Sequence, residues 1–169
     1  MFGEQLIRWT IWLSMLAYAA FLLTLVRPAL CGWRIRRGIW TIALMMFLAH
    51  FVSAYHFFHH WSHAHAVADT AAKTDAVIGW SFGEGIYFSY LFLGVWFLDV
   101  LWMWIGPDSY QSRARGISWL IHGYIFFIAI NGTAVFETGV TRWATALCCG
   151  LLAVVAIFGW SGERFINEE

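Results

Sequence analysis

The ten residues HFFHHWSHAH, 56–65, hold five of the chain's seven histidines. Imidazole nitrogen ligates zinc, copper and iron, and two histidines one helical turn apart can reach a single ion. His56 with His60 and His59 with His63 have that spacing. On a continuous helix at about 100° per residue counted from His50, His59 falls near 180°, His63 near 220°, His56 near 240° and His60 near 280°. Four imidazoles then share one face, which His50 and His65 leave. That face also carries Met45, Ala49 and Ser53, small or slender residues of the kind that let membrane helices approach. Glu84, Glu137 and Asp69 stand at similar depth and would complete a mixed nitrogen and oxygen ligand set. Each of these groups has a plainer use. Histidines at a bilayer interface bond headgroups and water, SFGE reads as a capping box with Ser81 at the N-cap and Glu84 at N3, and Glu137 can pair with Arg142.

A second set of polar residues falls deeper in apolar sequence. Asp99 and His122 lie at comparable depth and are expected partners, with Arg113 or Arg115 competing for Asp99, because an unpaired carboxylate in hydrocarbon costs a few kcal/mol, about 3 at a helix centre. His122, Ser118, Thr133 and Glu137 form a polar stripe within about 100° of one another. If that stripe meets the histidine cluster, His56 and His60, His50, and Asp99 with His122 would make a ladder of protonatable groups across the membrane, although a stripe that cements helices gives the same pattern. Haem between His50 and His122 is a further expectation, set against an offset of roughly two helical turns.

These residues must be positioned by a membrane fold. The 169-residue chain is 61% hydrophobic and 12% charged, far from a soluble balance. The composition predicts a single all-α domain over 1–169, an integral membrane bundle of five transmembrane helices at about Gln5–Val26, Ile39–Trp61, Phe82–Ile105, Ile117–Glu137 and Trp143–Trp160. Arg27, Arg34, Arg36, Arg37, Arg113, Arg115 and Arg164 fall on one side, against Arg8, Lys73 and Arg142 on the other. This asymmetry predicts an outer N-terminus and a cytoplasmic C-terminus. Trp33, Trp40, Trp102, Trp104, Trp119 and Trp160 are expected at the inner interface, and Trp9, Trp61, Trp80 and Trp143 at the outer one. The alanine-rich connection 62–81 is expected to be helical, continuing the second span beyond the membrane and stopping at Gly79. The first apolar run is read as a membrane helix and not a secretory signal, and the three cysteines as small hydrophobes.

HFFHH fits H-x-x-H-H and so resembles one histidine box of the membrane fatty-acid hydroxylases and desaturases. Those enzymes hold two irons with several boxes, and this sequence has no second one. The stretch HWSHAHAVADTAAKTDAVIGWSFGEGIYFSYLFLGVWFLDVLWMW, from Trp61 and His63 to Asp99 and Trp102, resembles a group of uncharacterised bacterial multipass inner-membrane proteins. That resemblance implies a bacterial inner membrane and no catalytic role.

Zero formal net charge gives no basic field for nucleic acid, and no nucleotide loop, G-x-S-x-G turn or dinucleotide fingerprint is present. The first expectation is a non-enzymatic protein with an outward-facing transition-metal site of zinc, copper or iron at His56, His59, His60, His63, Glu84 and Glu137, for binding, delivery or transport. The second is a structural or interaction subunit, in a homo-oligomer or a membrane complex. The third is a di-iron or haem oxidoreductase.

Overall fold

The computed structural model describes residues 2–132, and every regular element in them is helical. The elements are α1 (Phe2–Val26), α2 (Trp33–Phe57), α3 (His63–Ile78), α4 (Ile86–Ile105), a short α5 (Pro107–Gln111) and α6 (Arg115–Ile130). Three segments, Phe2–Val26, Trp33–Phe57 and Gly83–Ile105, are long and apolar enough to cross a membrane, while Arg115–Ile130 is apolar but shorter. Only 33, 22 and 28% of their most apolar windows is buried against the described residues. Most of that apolar surface faces outward, an arrangement that suits hydrocarbon and not water. Thr133, Glu137, the end of the expected fourth span and the whole of the expected fifth lie outside the described residues.

The helices α1, α2, α4 and α6 alternate in direction. A tight connection with a 3-10 turn at Pro28–Leu30 folds α2 back along α1, and Ser14 Oγ donates across the pair to the Ala43 carbonyl at 2.8 Å. At the far end a Cβ on Gly3 would lie 2.7 Å from the Phe57 ring, so a glycine permits α1 to start against the end of α2. Trp40 bonds Asp99 near the start of α2 and Tyr55 bonds Tyr90 near its end, which sets α4 antiparallel to α2. Tyr124 OH donates to the Phe88 carbonyl at 3.0 Å and lines α6 up against α4. The core is aromatic. Phe21 stacks on Trp40 at 4.1 Å and Trp40 on Trp96 at 4.7 Å, with Met103 and Ile125 also fully buried. Trp40 is therefore a core residue and not the interfacial anchor its position in sequence predicts.

The expected extension of the second span is not continuous. α2 stops at Phe57, and His60 and Trp61 take left-handed backbone conformations, φ 48° and 59°, that break the helix. Ser62 then caps a new helix, its hydroxyl accepting from the His65 amide at 3.3 Å. α3 ends where Gly79 turns left-handed at φ 69°. The return segment packs tightly on α3, since a Cβ on Gly83 would lie 2.7 Å from Val67 Cγ1 and 2.9 Å from its carbonyl oxygen. SFGE does not form a capping box. Phe82 flanks the 3-10 turn Gly83–Gly85, Gly85 flanks α4, neither supplies a side-chain cap, and Glu84 is exposed. The Phe82 amide donates to Thr74 Oγ1 at 2.9 Å, which ties the return segment to α3.

Candidate functional site

The polar residues gather at the two ends of the bundle. At the end that holds the basic connections, Asp99 on α4 is 2% exposed. It needs donors there, and three converge on it. Trp40 Nε1 and Tyr110 OH donate to Oδ2 at 2.8 and 3.0 Å, and Arg113 Nη1 donates to Oδ1 at 2.6 Å. α5 and the turn after it fold the chain back under α4, which is how Tyr110 and Arg113 come to point inward.

Arg113 uses the rest of its guanidinium in the same place. Nε donates to Ser118 Oγ at 2.8 Å, and Nη2 reaches Tyr110 OH at 2.9 Å and His122 Nε2 at 3.0 Å. Arginine has no acceptor, so His122 accepts at Nε2 and carries its proton on Nδ1. Burial, then the Asp99 carboxylate, push the Tyr110 phenol well above its usual range, with Arg113 drawing it back. Tyr110 thus remains the donor to Asp99. The expected pair of Asp99 and His122 exists only through Arg113, which holds both. With a side chain 5% exposed, Arg113, one of the two arginines expected to compete for Asp99, is its ion-pair partner.

At the opposite end the histidines separate. The break after Phe57 removes the shared helical face, and His56, His60, His63 and His65 are exposed while His59 is half-buried. His56 Nδ1 accepts from Trp61 Nε1 at 3.3 Å. His63 Nδ1 lies 2.9 Å from Tyr90 OH and Nε2 lies 3.4 Å from Tyr87 OH, and Tyr90 OH also bonds Tyr55 OH. The Tyr55 ring meets His59 at 5.4 Å. Among the described residues no three His, Cys, Asp or Glu side chains come together as a metal-binding group. Asp69 pairs with Lys73 at 2.8 Å along α3, an exposed contact. Glu137 lies outside the described residues.

His50 points to α1, where its Nδ1–H donates to the Ile7 carbonyl at 3.0 Å. His122 packs on Trp40, centroids 5.6 Å apart, and Trp40 stands ten residues before His50 on α2. That is about 15 Å at the helical rise, so the two imidazoles do not face one iron. The Ile7 bond also turns His50 away from any ladder. Sequence reasoning missed Trp40, Tyr110 and the three tyrosines. Tyr87 and Tyr90 at i, i+3, with Tyr55 one turn before His59, were the signal at the histidine end.

A shallow groove of about 430 Å³ between α1 and α2 is almost wholly apolar, lined by Leu13, Leu16, Ala17, Ala20, Ile39 and Ile42 among others. Comparison with family profiles, with curated proteins and with solved structures found no match. The class defined here is a membrane-type helical protein: among the described residues every element is helical and three helices are able to span a membrane, two of them tied together by a buried ion-pair network. Beyond that class, nothing matched supplies a family.

Proposed function

We propose that this chain is a non-catalytic structural or interaction subunit of a membrane assembly. One observation carries the reading: the ionisable groups deepest in the bundle are spent on each other. Arg113 alone joins Asp99, Tyr110, Ser118 and His122, and so fastens α4, α5 and α6 through one side chain while Trp40 adds α2. A buried charge network of this kind serves register and specificity, its best attested use. The groove between α1 and α2 supports the interaction role, since Ala17 and Ala20 would let a neighbouring helix approach closely.

In the full reading the chain makes five spans, with the N-terminus outside, the C-terminus cytoplasmic, and a bacterial inner membrane as its site. The arginine asymmetry and the resemblance over Trp61–Trp102 support this.

The test is the mass of the purified chain in nanodiscs together with its metal content and optical spectrum. An assembly heavier than one chain, reduced by Ala17→Phe, with neither stoichiometric metal nor a Soret band, is the expected result. Stoichiometric metal or a Soret band in a single-chain species would contradict it.

A second reading, transition-metal binding at the histidine end, rests on His63. This residue meets two tyrosines of α4 and, through Tyr90, Tyr55 of α2, so three elements bring nitrogen and oxygen donors to one place. Metal retained by wild type, lost in His63→Ala and kept in His56→Ala/His60→Ala would favour this reading over the original ligand set of His56, His59, His60, His63, Glu84 and Glu137.

A further inference from the structure

At the end of the bundle opposite the histidines, α2 opens with Trp33, Arg34, Ile35, Arg36 and Arg37. Arg34 is exposed. Arg36 and Arg37 are half-buried, and their Nε atoms are sealed from solvent without a hydrogen-bond partner. Among the described residues no carboxylate lies within ion-pair distance of the three. Three like charges in four residues repel one another, and they stand at the end of α2 where the macrodipole is already positive. That turn contains no acidic residue, and Gly32 gives no side-chain cap. An anion at this turn would offset the charge repulsion, complement the dipole and offer the guanidinium groups strong charge-assisted hydrogen bonds.

The position is also built. The Arg37 guanidinium lies over the Trp104 ring, 3.9 Å from its centroid. Trp104 Nε1 donates to Thr41 Oγ1 at 3.0 Å, and the Thr41 hydroxyl donates to the Arg37 carbonyl at 2.8 Å. The ring and the arginine therefore hold each other across α2 and α4. Trp104 is exposed at the end of a candidate span, where amphipathic rings sit at headgroup level. Ile35 and Ile42, also exposed, give acyl chains an apolar track beside the arginines.

We propose that Arg34, Arg36 and Arg37 bind the phosphate of an anionic phospholipid headgroup, with Trp104 holding Arg37 in place. This rests on the chain being a membrane protein, and goes beyond that in assigning the site and its ligand chemistry.

The test is native mass spectrometry of the full chain from detergent, titrated with phosphatidylglycerol, phosphatidylcholine and inorganic phosphate. Phosphatidylglycerol is expected to bind roughly tenfold more tightly than phosphatidylcholine, and Arg34→Gln/Arg37→Gln to remove that preference while Arg115→Gln keeps it. Equal retention of the two lipids, or an unchanged preference in the double variant, would overturn the proposal. Displacement of phosphatidylglycerol by millimolar inorganic phosphate would overturn the lipid as the source. Should Arg37→Gln loosen α4 from α2, the exposed Arg34→Gln alone is expected to weaken phosphatidylglycerol about fivefold, and no change would count against the site. A chain that stays monodisperse without detergent would instead overturn the membrane reading itself.

Discussion

Trp40 Nε1 donates to Asp99 Oδ2 at 2.8 Å, from α2 to α4, and both residues are almost without solvent contact. The indole is thus a structural hydrogen-bond donor as well as a core ring stacked on Phe21 and Trp96. Trp40→Phe would keep most of the stacking and remove the donor. It is expected to lower stability by roughly 2 kcal/mol, the usual worth of a hydrogen bond to a charged group, with a further loss for the smaller ring. Thermal unfolding in detergent against wild type checks this, and a variant with unchanged midpoint would count against the bond.

Gly83 and Gly94 make a matched pair. A Cβ on Gly83 meets the Val67 side chain and backbone carbonyl, whereas one on Gly94 meets nothing within 4 Å. Gly83→Ala should therefore destabilise by about 1–3 kcal/mol through forced separation of the return segment from α3. Gly94→Ala, in the middle of α4, should be neutral or slightly stabilising. Proteolysis between α3 and α4 is a direct readout, faster in the first variant and unchanged in the second.

His59, in the turn beyond α2, is pulled below its ordinary value of 6.5, first by burial, with Asp69 acting upward and Lys73 and His65 downward. The folded state then holds the proton less readily than the unfolded chain. The sign follows by linkage: this contribution is intact above about pH 6.5 and is lost as pH falls through the window below it. Histidine NMR should show a His59 midpoint under 6.5, and His59→Gln should flatten the dependence of stability on pH in that window. A midpoint at or above 6.5 would show that the imidazole is not shielded.

Long apolar runs made the helices legible, because hydropathy over roughly 20 residues needs no tertiary information. Asp99 was legible as a group in need of a partner for the same reason. Its true partner was open to sequence reasoning only as one of several, since Arg113 reaches it by way of a five-residue helix whose fold-back no periodicity announces. The histidine face failed at a definite point. The projection assumed one continuous helix, and two residues with positive φ, His60 and Trp61, end that assumption. Histidine enters this region more often than most residues but tryptophan does not, and neither is glycine, so composition gave little warning. The Glu84 cap failed because the chain enters α4 through a 3-10 turn at Gly83–Gly85, so the helix starts at Ile86 and Ser81 is not its N-cap.

The buried network of Asp99 and Arg113 is tested most directly by a double-mutant cycle in thermal unfolding, with Asp99→Leu, Arg113→Leu and both together. Each single change leaves an uncompensated buried charge and should cost about 3–5 kcal/mol, while the double variant, free of both charges, should lose less than either. That outcome is expected if the two residues exist to fasten the helices. Three variants as stable as wild type would contradict it, for it would mean that Asp99 and Arg113 meet water and each other only loosely, as the groups of a working site do.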